Sequence, residues 1–211
     1  MGVRIKICGI TNLEDAAAAV QAGADALGFV FSDSSPRHVG VSQAANIIRE
    51  LPPLVSKVGV FVDSPADFIQ SAARESGLDT LQFHGDEPPE FCRLFSLKTI
   101  KAFRVRDAAS LAEITTFHTS AWLLDSFVPG LRGGSGACFN WDLARDSKSH
   151  GRPIILAGGL TPDNIASAIA HVRPYGVDVS SGVELKPGIK DHAKLKAFIE
   201  KARESAAETT E

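Results

Sequence analysis

A cysteine stands where the first apolar run of the chain gives way to a helical pattern. Cys8 closes the run Arg4–Cys8, and Gly9 separates it from a segment with acidic residues in its first helical turn. A thiol at the junction of a strand and a helix is well placed to react. Cysteine is also among the residue types most often buried, so a role in packing alone stays open at this point.

Several polar residues share the parity of Cys8 on strand-like runs. In a barrel strand one face meets the helices and the other fills the interior, alternating with a period of two. Because the helix-facing layer is apolar, we expect charged strand residues to point inward. The expected inward set is Lys6, Cys8, Gln82, His84, Lys101, Asp125, Asp178 and Ser180. This set is either a charge-balanced polar site or a structural ion network.

Two segments in the last quarter of the chain are typical of a phosphate site. Gly158 and Gly159 end one strand-like run, and the next run ends in Ser180, Ser181 and Gly182. Backbone N–H groups of glycines approach an anion without a Cβ in the way, and a short helix starting at Ser181 adds its positive end. Loops after the seventh and eighth strands often bind phosphate in barrels. Tight turns without a ligand are the alternative.

Three more residues lie beside this predicted site. Arg37 follows the second strand-like run, and its planar fork suits a carboxylate. His84 closes the fourth run, where we assign it to substrate binding. Asp125 closes the sixth run and leads toward the glycine-rich segment 130–136, which suits a mobile loop that closes over a substrate.

Strand-like runs alternate with helical patterns along the whole chain. The runs are Arg4–Cys8, Ala26–Phe31, Ser56–Val62, Thr80–Phe83, Thr99–Phe103, Ala121–Asp125, Pro153–Ala157 and Val177–Ser180. Eight such units predict an α/β fold, a (β/α)8 TIM barrel that forms a single domain over residues 1–211. A doubly wound open sheet is the alternative, although its G-x-G-x-x-G fingerprint does not follow the first run. Barrel active sites lie at the carboxyl ends of strands, where Cys8 and Asp125 stand.

Composition argues against several other classes of protein. A net charge of −3 gives no reason to expect a nucleic-acid partner, and no apolar run reaches the roughly 18 residues that span a membrane. Without a signal-like first segment, a cytoplasmic location is expected. Cys8, Cys92 and Cys138 are too widely spaced for a zinc motif or a disulfide framework. The polar segment 204–211 is expected to fray.

The segments above occur in the order found in the phosphoribosylanthranilate isomerase family, which the chain closely resembles over essentially its whole length. The matching segments are Lys6–Gly9, Gly28–Phe31, Ser35–Arg37, Val58–Val62, Leu81–Gly85, Asp125–Ser126 with the glycine loop, Leu156–Leu160, Gly176–Glu184 and Pro187–Asp191. Each segment is short, but the combination is highly specific. One departure is Ser135, where the family often has threonine, and serine keeps the hydroxyl.

The resemblance implies an enzyme of tryptophan biosynthesis that uses general acid–base catalysis, and no metal or cofactor is expected. N-(5'-phosphoribosyl)anthranilate would undergo an Amadori rearrangement to 1-(2-carboxyphenylamino)-1-deoxyribulose 5-phosphate. By the same resemblance, Asp125 is the acid that protonates the furanose oxygen, and Cys8 is the base that removes the C2 proton. Arg37 would bind the anthranilate carboxylate, with Asp178 near the amine.

The expected partner is a small phosphosugar, and the chain is expected to be a monomer or a homodimer. Another phosphosugar isomerase or epimerase is the nearest alternative, although the metal ligands of the epimerases and the paired aspartates of related isomerases are missing. A phosphoribosyl-binding barrel without catalysis is the alternative from another class. A further hypothesis is that Lys6, two residues from Cys8, shifts the thiol toward the thiolate.

Overall fold

Eight parallel strands close into a barrel within residues 2–126 and 141–208, which are the residues that the computed structural model describes. They follow one another in sequence order, and β8 pairs with β1. The strands are β1 (Arg4–Cys8), β2 (Ala26–Val30), β3 (Ser56–Phe61), β4 (Thr80–Phe83), β5 (Lys98–Val105), β6 (Ala121–Ser126), β7 (Ile154–Ala157) and β8 (Gly176–Val179). The predicted barrel is confirmed, and the open sheet is excluded because the ring of strands closes.

Helices cover the outside of the barrel. They are α1 (Leu13–Ala22), α2 (Val41–Arg49), α3 (Ala66–Ser76), α4 (Pro89–Cys92), α5 (Trp141–Ser147), α6 (Ile165–Val172) and α7 (His192–Glu208). Their apolar faces pack on the outward side chains of the strands, such as Phe29 and Leu81, to form the main core. Among the helices in the described ranges, none is long and apolar enough to cross a membrane.

The connection between β5 and β6 departs from the regular alternation. Its residues are all described, and two short 3-10 helices, Ala108–Leu111 and Ile114–Thr116, stand where an α-helix was expected. The side chain of Asp107 caps the first of them by accepting the N–H of Ser110 at 3.0 Å. The second 3-10 helix consists of β-branched residues, which have a low α-helix propensity. This accounts for short 3-10 turns in place of an α-helix.

The C-terminal helix is longer than the sequence suggests. Residues 204–208, which were expected to fray, belong to α7. Ser205 and Ala206 are buried, and the hydroxyl of Ser205 donates to the carbonyl of Ala166 on α6 at 3.1 Å. This packing against α6 holds the last described turns in helical form.

The predicted inward orientation is right for Lys6 and Asp178 but wrong for Lys101. Lys6 and Asp178 are paired across β1 and β8, and their side chains meet. The side chain of Lys101 points toward the helices, because its neighbours on β5 face the interior. The interior apolar cluster consists of Val58, Ile100, Ala102, Ala121, Leu123, Ile155 and Ala157.

Lys101 is accommodated in the apolar outer layer by a buried partner. Its Nζ donates to Glu87 Oε2 at 2.8 Å and to the carbonyl of Gly85 at 2.7 Å. It also lies 5.8 Å from the centre of the Phe117 ring. The parity argument fails here because a loop after β4 brings a carboxylate that neutralises the charge.

We expect Lys101→Met to lower the free energy of unfolding by about 3 kcal/mol, because removal of one partner leaves a buried charge uncompensated. The loss is limited because Glu87 keeps two backbone donors, the N–H groups of Asp63 and Gly85, at 2.9 and 3.0 Å. Urea unfolding followed by circular dichroism measures the change.

The exposed pair between Lys196 and Glu200 on α7 supplies the control for Lys101→Met. Lys196→Met removes the same charge from a solvated position and is expected to cost less than about 0.5 kcal/mol. Equal losses in the two variants would show that the buried pair contributes no special stability.

Candidate active site

Cys8 lies buried at the carboxyl end of β1, next to an ion pair. Lys6 precedes it on the same face of the strand, and its Nζ donates to Asp178 Oδ1 of β8 at 2.9 Å. The side chains of this pair are only 6% and 8% exposed. The structure therefore brings three predicted residues together, and the two charges next to the thiol largely neutralise each other.

Burial dominates the protonation of the thiol. Burial raises the pKa of Cys8, since the thiolate would lose its solvation, while Lys6 lowers it and Asp178 raises it. The hypothesis that Lys6 favours the thiolate thus holds for the effect of Lys6 itself, but the net shift is upward. Burial also opposes the charge of Lys6, yet Asp178 and Cys8 raise the pKa of that ammonium.

His84 and Asp125 form a second group at the ends of β4 and β6. The Nε2 of His84 lies 3.2 Å from Asp125 Oδ2, and its Nδ1 lies 3.0 Å from Nε2 of the buried Gln82. If the amide of Gln82 donates to Nδ1, the histidine carries its proton on Nε2 and donates to the carboxylate. The glycine-rich segment 130–136, which was expected to close over the substrate, lies outside the described residues.

Arg37 follows β2 and binds a carboxylate of the protein itself. Its Nε and Nη2 donate to the two oxygens of Glu184 at 2.9 and 2.7 Å. Burial alone would raise the pKa of Glu184, but the hydrogen bond from Arg37 and the charge of Lys190 lower it, so the carboxylate is ionised. Sequence reasoning found Arg37 but assigned no role to Glu184.

Lys190 is a second residue of the site to which sequence reasoning gave no role. Its Nζ is fully buried and donates to Glu184 Oε1 at 2.9 Å and to the carbonyl of Cys8 at 2.5 Å. Glu184 and Lys190 lie on a hairpin formed by β9 (Glu184–Lys186) and β10 (Ile189–Lys190). The signal in the sequence is a Pro-Gly pair between a glutamate and a lysine, which is typical of a turn that brings opposite charges together.

Gly9 allows the groups around Cys8 to converge. Its φ is +77°, and a Cβ at this position would lie 2.7 Å from Cδ of Arg37 and 3.1 Å from Oγ of Ser180. A side chain here would therefore displace Arg37, Ser180 or both. The loop that carries Arg37 and the end of β8 thus meet at Gly9.

The residues predicted to hold phosphate lie on two loops in contact. Gly158 and Gly159 follow β7 with φ values of +83° and +63°, in the left-handed region that favours glycine. Ser180 follows β8, and its buried Oγ finds no hydrogen-bond partner among the residues described. Such an unpaired hydroxyl suits an oxygen of a ligand.

Ser181 begins a 3-10 helix, Ser181–Val183, as the sequence suggests. A Cβ on Gly182 would overlap the carbonyl oxygen of Leu160, so the loops after β7 and β8 touch at this glycine. The two loops that carry the predicted phosphate residues are therefore in contact.

Polar and reactive side chains thus converge at the carboxyl ends of β1, β4, β6 and β8 in a closed barrel. This end of the barrel holds the active site in (β/α)8-barrel enzymes. The fold and the site together define that class of protein.

Comparisons with known proteins identify the family. The family model for N-(5'-phosphoribosyl)anthranilate (PRA) isomerase matches residues 5–201. An N-(5'-phosphoribosyl)anthranilate isomerase from Geobacter sulfurreducens is 56% identical over 201 residues, which are 95% of this chain and 98% of the relative. One from Pelobacter propionicus is 54% identical over 208 residues, 99% of each chain.

Solved structures agree with the sequence comparisons. The crystal structure of phosphoribosyl anthranilate isomerase from Thermotoga maritima matches with a TM-score of 0.91 and 45% identity, covering 96% of this chain and 99% of that one. A family member in complex with reduced 1-(o-carboxyphenylamino)-1-deoxyribulose 5-phosphate has a TM-score of 0.88 and 43% identity, with the same coverage. The chain therefore belongs to the N-(5'-phosphoribosyl)anthranilate isomerase family, and its activity is the isomerisation of N-(5'-phosphoribosyl)anthranilate in tryptophan biosynthesis.

Proposed function

We propose that Cys8 and Asp125 carry out this isomerisation as general base and general acid. The observation that supports the proposal best is the placement of a buried thiol and a histidine-bound carboxylate at strand ends of one barrel mouth. The reaction moves protons without any net change in composition: N-(5'-phosphoribosyl)anthranilate becomes 1-(2-carboxyphenylamino)-1-deoxyribulose 5-phosphate. The two groups lie on β1 and β6, so they reach a substrate at the mouth from different sides.

Asp125 acts first, on the furanose ring oxygen. Its carboxyl group gives a proton to that oxygen, the bond from the oxygen to C1 breaks, and the nitrogen lone pair forms a protonated Schiff base. The hydrogen bond from Nε2 of His84 engages Oδ2 at 3.2 Å, which leaves Oδ1 as the oxygen that carries the transferred proton. His84 also stabilises the carboxylate that remains after the transfer.

Cys8 then removes the proton from C2. The electrons of the C2–H bond form an enolamine and neutralise the Schiff-base nitrogen, and the enolamine tautomerises to the ketone. Burial raises the pKa of Cys8 in the free site, but a cationic Schiff base beside the sulfur favours the thiolate when the step occurs. Asp178, which pairs with Lys6, lies on the adjacent strand and supplies negative charge near the amine.

Arg37 and the two loops hold the anionic ends of the substrate. We assign the anthranilate carboxylate to Arg37, whose guanidinium is partly exposed beside Glu184. His84 completes the substrate contacts at the mouth of the barrel. The phosphate is assigned to the loops after β7 and β8, through Gly158, Gly159, Ser180, Ser181 and Gly182. The buried Oγ of Ser180, which has no hydrogen-bond partner among the described residues, supports this assignment.

A fluorescence assay tests the activity together with the role of Arg37. The anthranilate fluorescence of the substrate decays as the wild-type protein consumes it, whereas a barrel that only binds leaves the signal unchanged. We expect Arg37→Met to raise KM by about 10- to 100-fold, since hydrogen bonds to a charged group contribute about 1.5–3 kcal/mol. The value of kcat should change much less.

A substrate without the carboxylate supplies the control for Arg37→Met. N-(5-phosphoribosyl)aniline lacks the group that Arg37 is proposed to bind, so wild type and variant should show similar KM values for it. If Arg37→Met raises KM equally for both substrates, the carboxylate assignment is wrong.

The binding partner that we propose is accordingly a small phosphosugar, with the chain acting as a monomer or a homodimer. A phosphoribosylanthranilate isomerase of Thermotoga maritima is dimeric. Sedimentation equilibrium of this chain distinguishes the two states.

A further inference from the structure

Lys190 is a buried cation that the mechanism above does not use. A charged ammonium away from water is costly unless it is paired and hydrogen-bonded. Lys190 meets that requirement with two acceptors, the carboxylate of Glu184 at 2.9 Å and the backbone carbonyl of Cys8 at 2.5 Å. One of its two partners is therefore the main chain of the proposed base.

The hairpin that carries Lys190 is fixed to the start of α1. The backbone N–H of Lys190 donates to Asp15 Oδ2 at 2.9 Å, and the other oxygen of Asp15 lies 2.8 Å from Nε2 of His192. The hydroxyl of Thr11 donates to the carbonyl of Gly188 at the turn. These contacts anchor the lysine on both sides, so its side chain approaches Cys8 from a rigid support.

Glu184 connects this lysine with the arginine across the site. Its two oxygens accept from Nε and Nη2 of Arg37, and Oε1 also accepts from Nζ of Lys190. The N–H of Gly188 lies 3.3 Å from the same oxygen. A continuous chain of charged hydrogen bonds thus runs from the guanidinium of Arg37 to the carbonyl of Cys8.

We propose that Lys190 is a positioning residue. It holds the carbonyl of Cys8 and, through Glu184, the guanidinium of Arg37 at a fixed distance from each other. The inference rests on the roles proposed above for Cys8 and Arg37. The base and the carboxylate-binding group then keep the spacing that the substrate requires between C2 and the anthranilate carboxylate. Positioning of this kind matters because an error of about 1 Å can cost about 10²-fold in rate.

The same arrangement sets the charge around the thiol. Among the described residues, the charged groups that act on Cys8 include Lys6 on its own strand, Asp178 on β8, Lys190 on β10 and Arg37 after β2. Lys6 and Asp178 form one neutral pair, whereas Glu184 balances only one of the two cations Lys190 and Arg37. The surplus positive charge favours both an anionic substrate and a thiolate.

Lys190→Met tests the proposal. The variant keeps the ion pair of Glu184 with Arg37, so circular dichroism should show a folded barrel. We expect kcat/KM to fall by about 10²-fold, mainly through kcat. We also expect the alkylation of Cys8 by iodoacetamide, followed by mass spectrometry across a pH series, to require a higher pH.

Lys101→Met is the matched control. Lys101 is also buried and also binds a glutamate and a backbone carbonyl, but it lies outside the barrel interior. Its removal should leave the pH dependence of Cys8 alkylation unchanged. If both variants shift that dependence equally, the effect is a general loosening and the proposal is wrong.

Lys190→Gln, which keeps an N–H donor without the charge, replaces Lys190→Met if the latter does not fold, and the same alkylation shift is expected.

Cys8→Ala separates failure of this inference from failure of the proposed function. If Cys8→Ala keeps full activity, the roles proposed for the site are wrong, and this inference fails with them. If Cys8→Ala is inactive while Lys190→Met retains the wild-type kcat and alkylation profile, only the role of Lys190 is wrong.

Discussion

Cys8→Ala is expected to lower kcat by about 10³-fold while the variant still binds the product. The reason is that the C2 proton loses its positioned acceptor, and a general base contributes about 10²- to 10⁴-fold. The decay of anthranilate fluorescence measures the rate. Titration with reduced 1-(o-carboxyphenylamino)-1-deoxyribulose 5-phosphate, the compound bound by a solved relative, measures binding.

Cys92→Ala is the control for this substitution. Cys92 is also buried, and burial raises the pKa of its thiol to about 11, but it packs on α4 in the outer core. Its removal should leave kcat unchanged. If Cys8→Ala loses product binding together with activity, Cys8 serves packing rather than proton transfer.

The upward shift in the pKa of Cys8 gives the sign of the pH dependence. In the free site the thiol is protonated at neutral pH, and kcat/KM reports the ionisation of the free enzyme. A base is active only after it has lost its proton. Ionisation of this thiol therefore contributes a limb of the pH profile on which kcat/KM rises with pH until the thiol has lost its proton.

The barrel could be predicted because its signals are local. Apolar runs mark the strands, and the observed bounds either coincide with the predicted ones or differ by one or two residues, as in β5 (Lys98–Val105) against Thr99–Phe103. The orientation of Lys101 could not be predicted in the same way. Its counter-charge, Glu87, stands fourteen positions away in a loop, and only the folded chain brings the two together.

The residues of the candidate site also differ in whether the local sequence predicts their role. Cys8 and Asp125 stand at strand ends, where position alone indicates reactivity in a barrel. Lys190 lies between an isoleucine and an aspartate and has the sequence character of a solvated lysine. It enters the interior because the antiparallel hairpin after β8 turns it toward Glu184, and nothing in the local sequence specifies which face of that hairpin is buried.

The direction of the net shift in the pKa of the Cys8 thiol could be determined only from the structure. From the sequence, Lys6 is visible two residues before Cys8, so a shift toward the thiolate is a fair hypothesis. The extent of burial decides the outcome, and it depends on packing from several strands. In particular, Val30 and Val60 from β2 and β3 pack with Cys8 and exclude water from the sulfur.

Asp125→Asn is expected to lower kcat by about 10³-fold and to stop the reaction before the ring opens, because an amide cannot supply the proton that the furanose oxygen needs. The amide keeps the size of the side chain, and its oxygen can still accept from Nε2 of His84, so product binding should be retained. Asp79→Asn is the control: Asp79 precedes β4 at the opposite end of the barrel and should leave kcat unchanged.

Trapping with cyanoborohydride separates the two proton-transfer steps. With Cys8→Ala the ring opens but C2 keeps its proton, so the Schiff base accumulates and is reduced to an amine that mass spectrometry detects. With Asp125→Asn the ring stays closed, and the amount of trapped amine should not exceed that formed without protein. Equal trapping in the two variants would place the action of Asp125 after ring opening. Asp125, with His84 bound to it, would then act as a base in the later tautomerisation rather than as the acid that opens the ring.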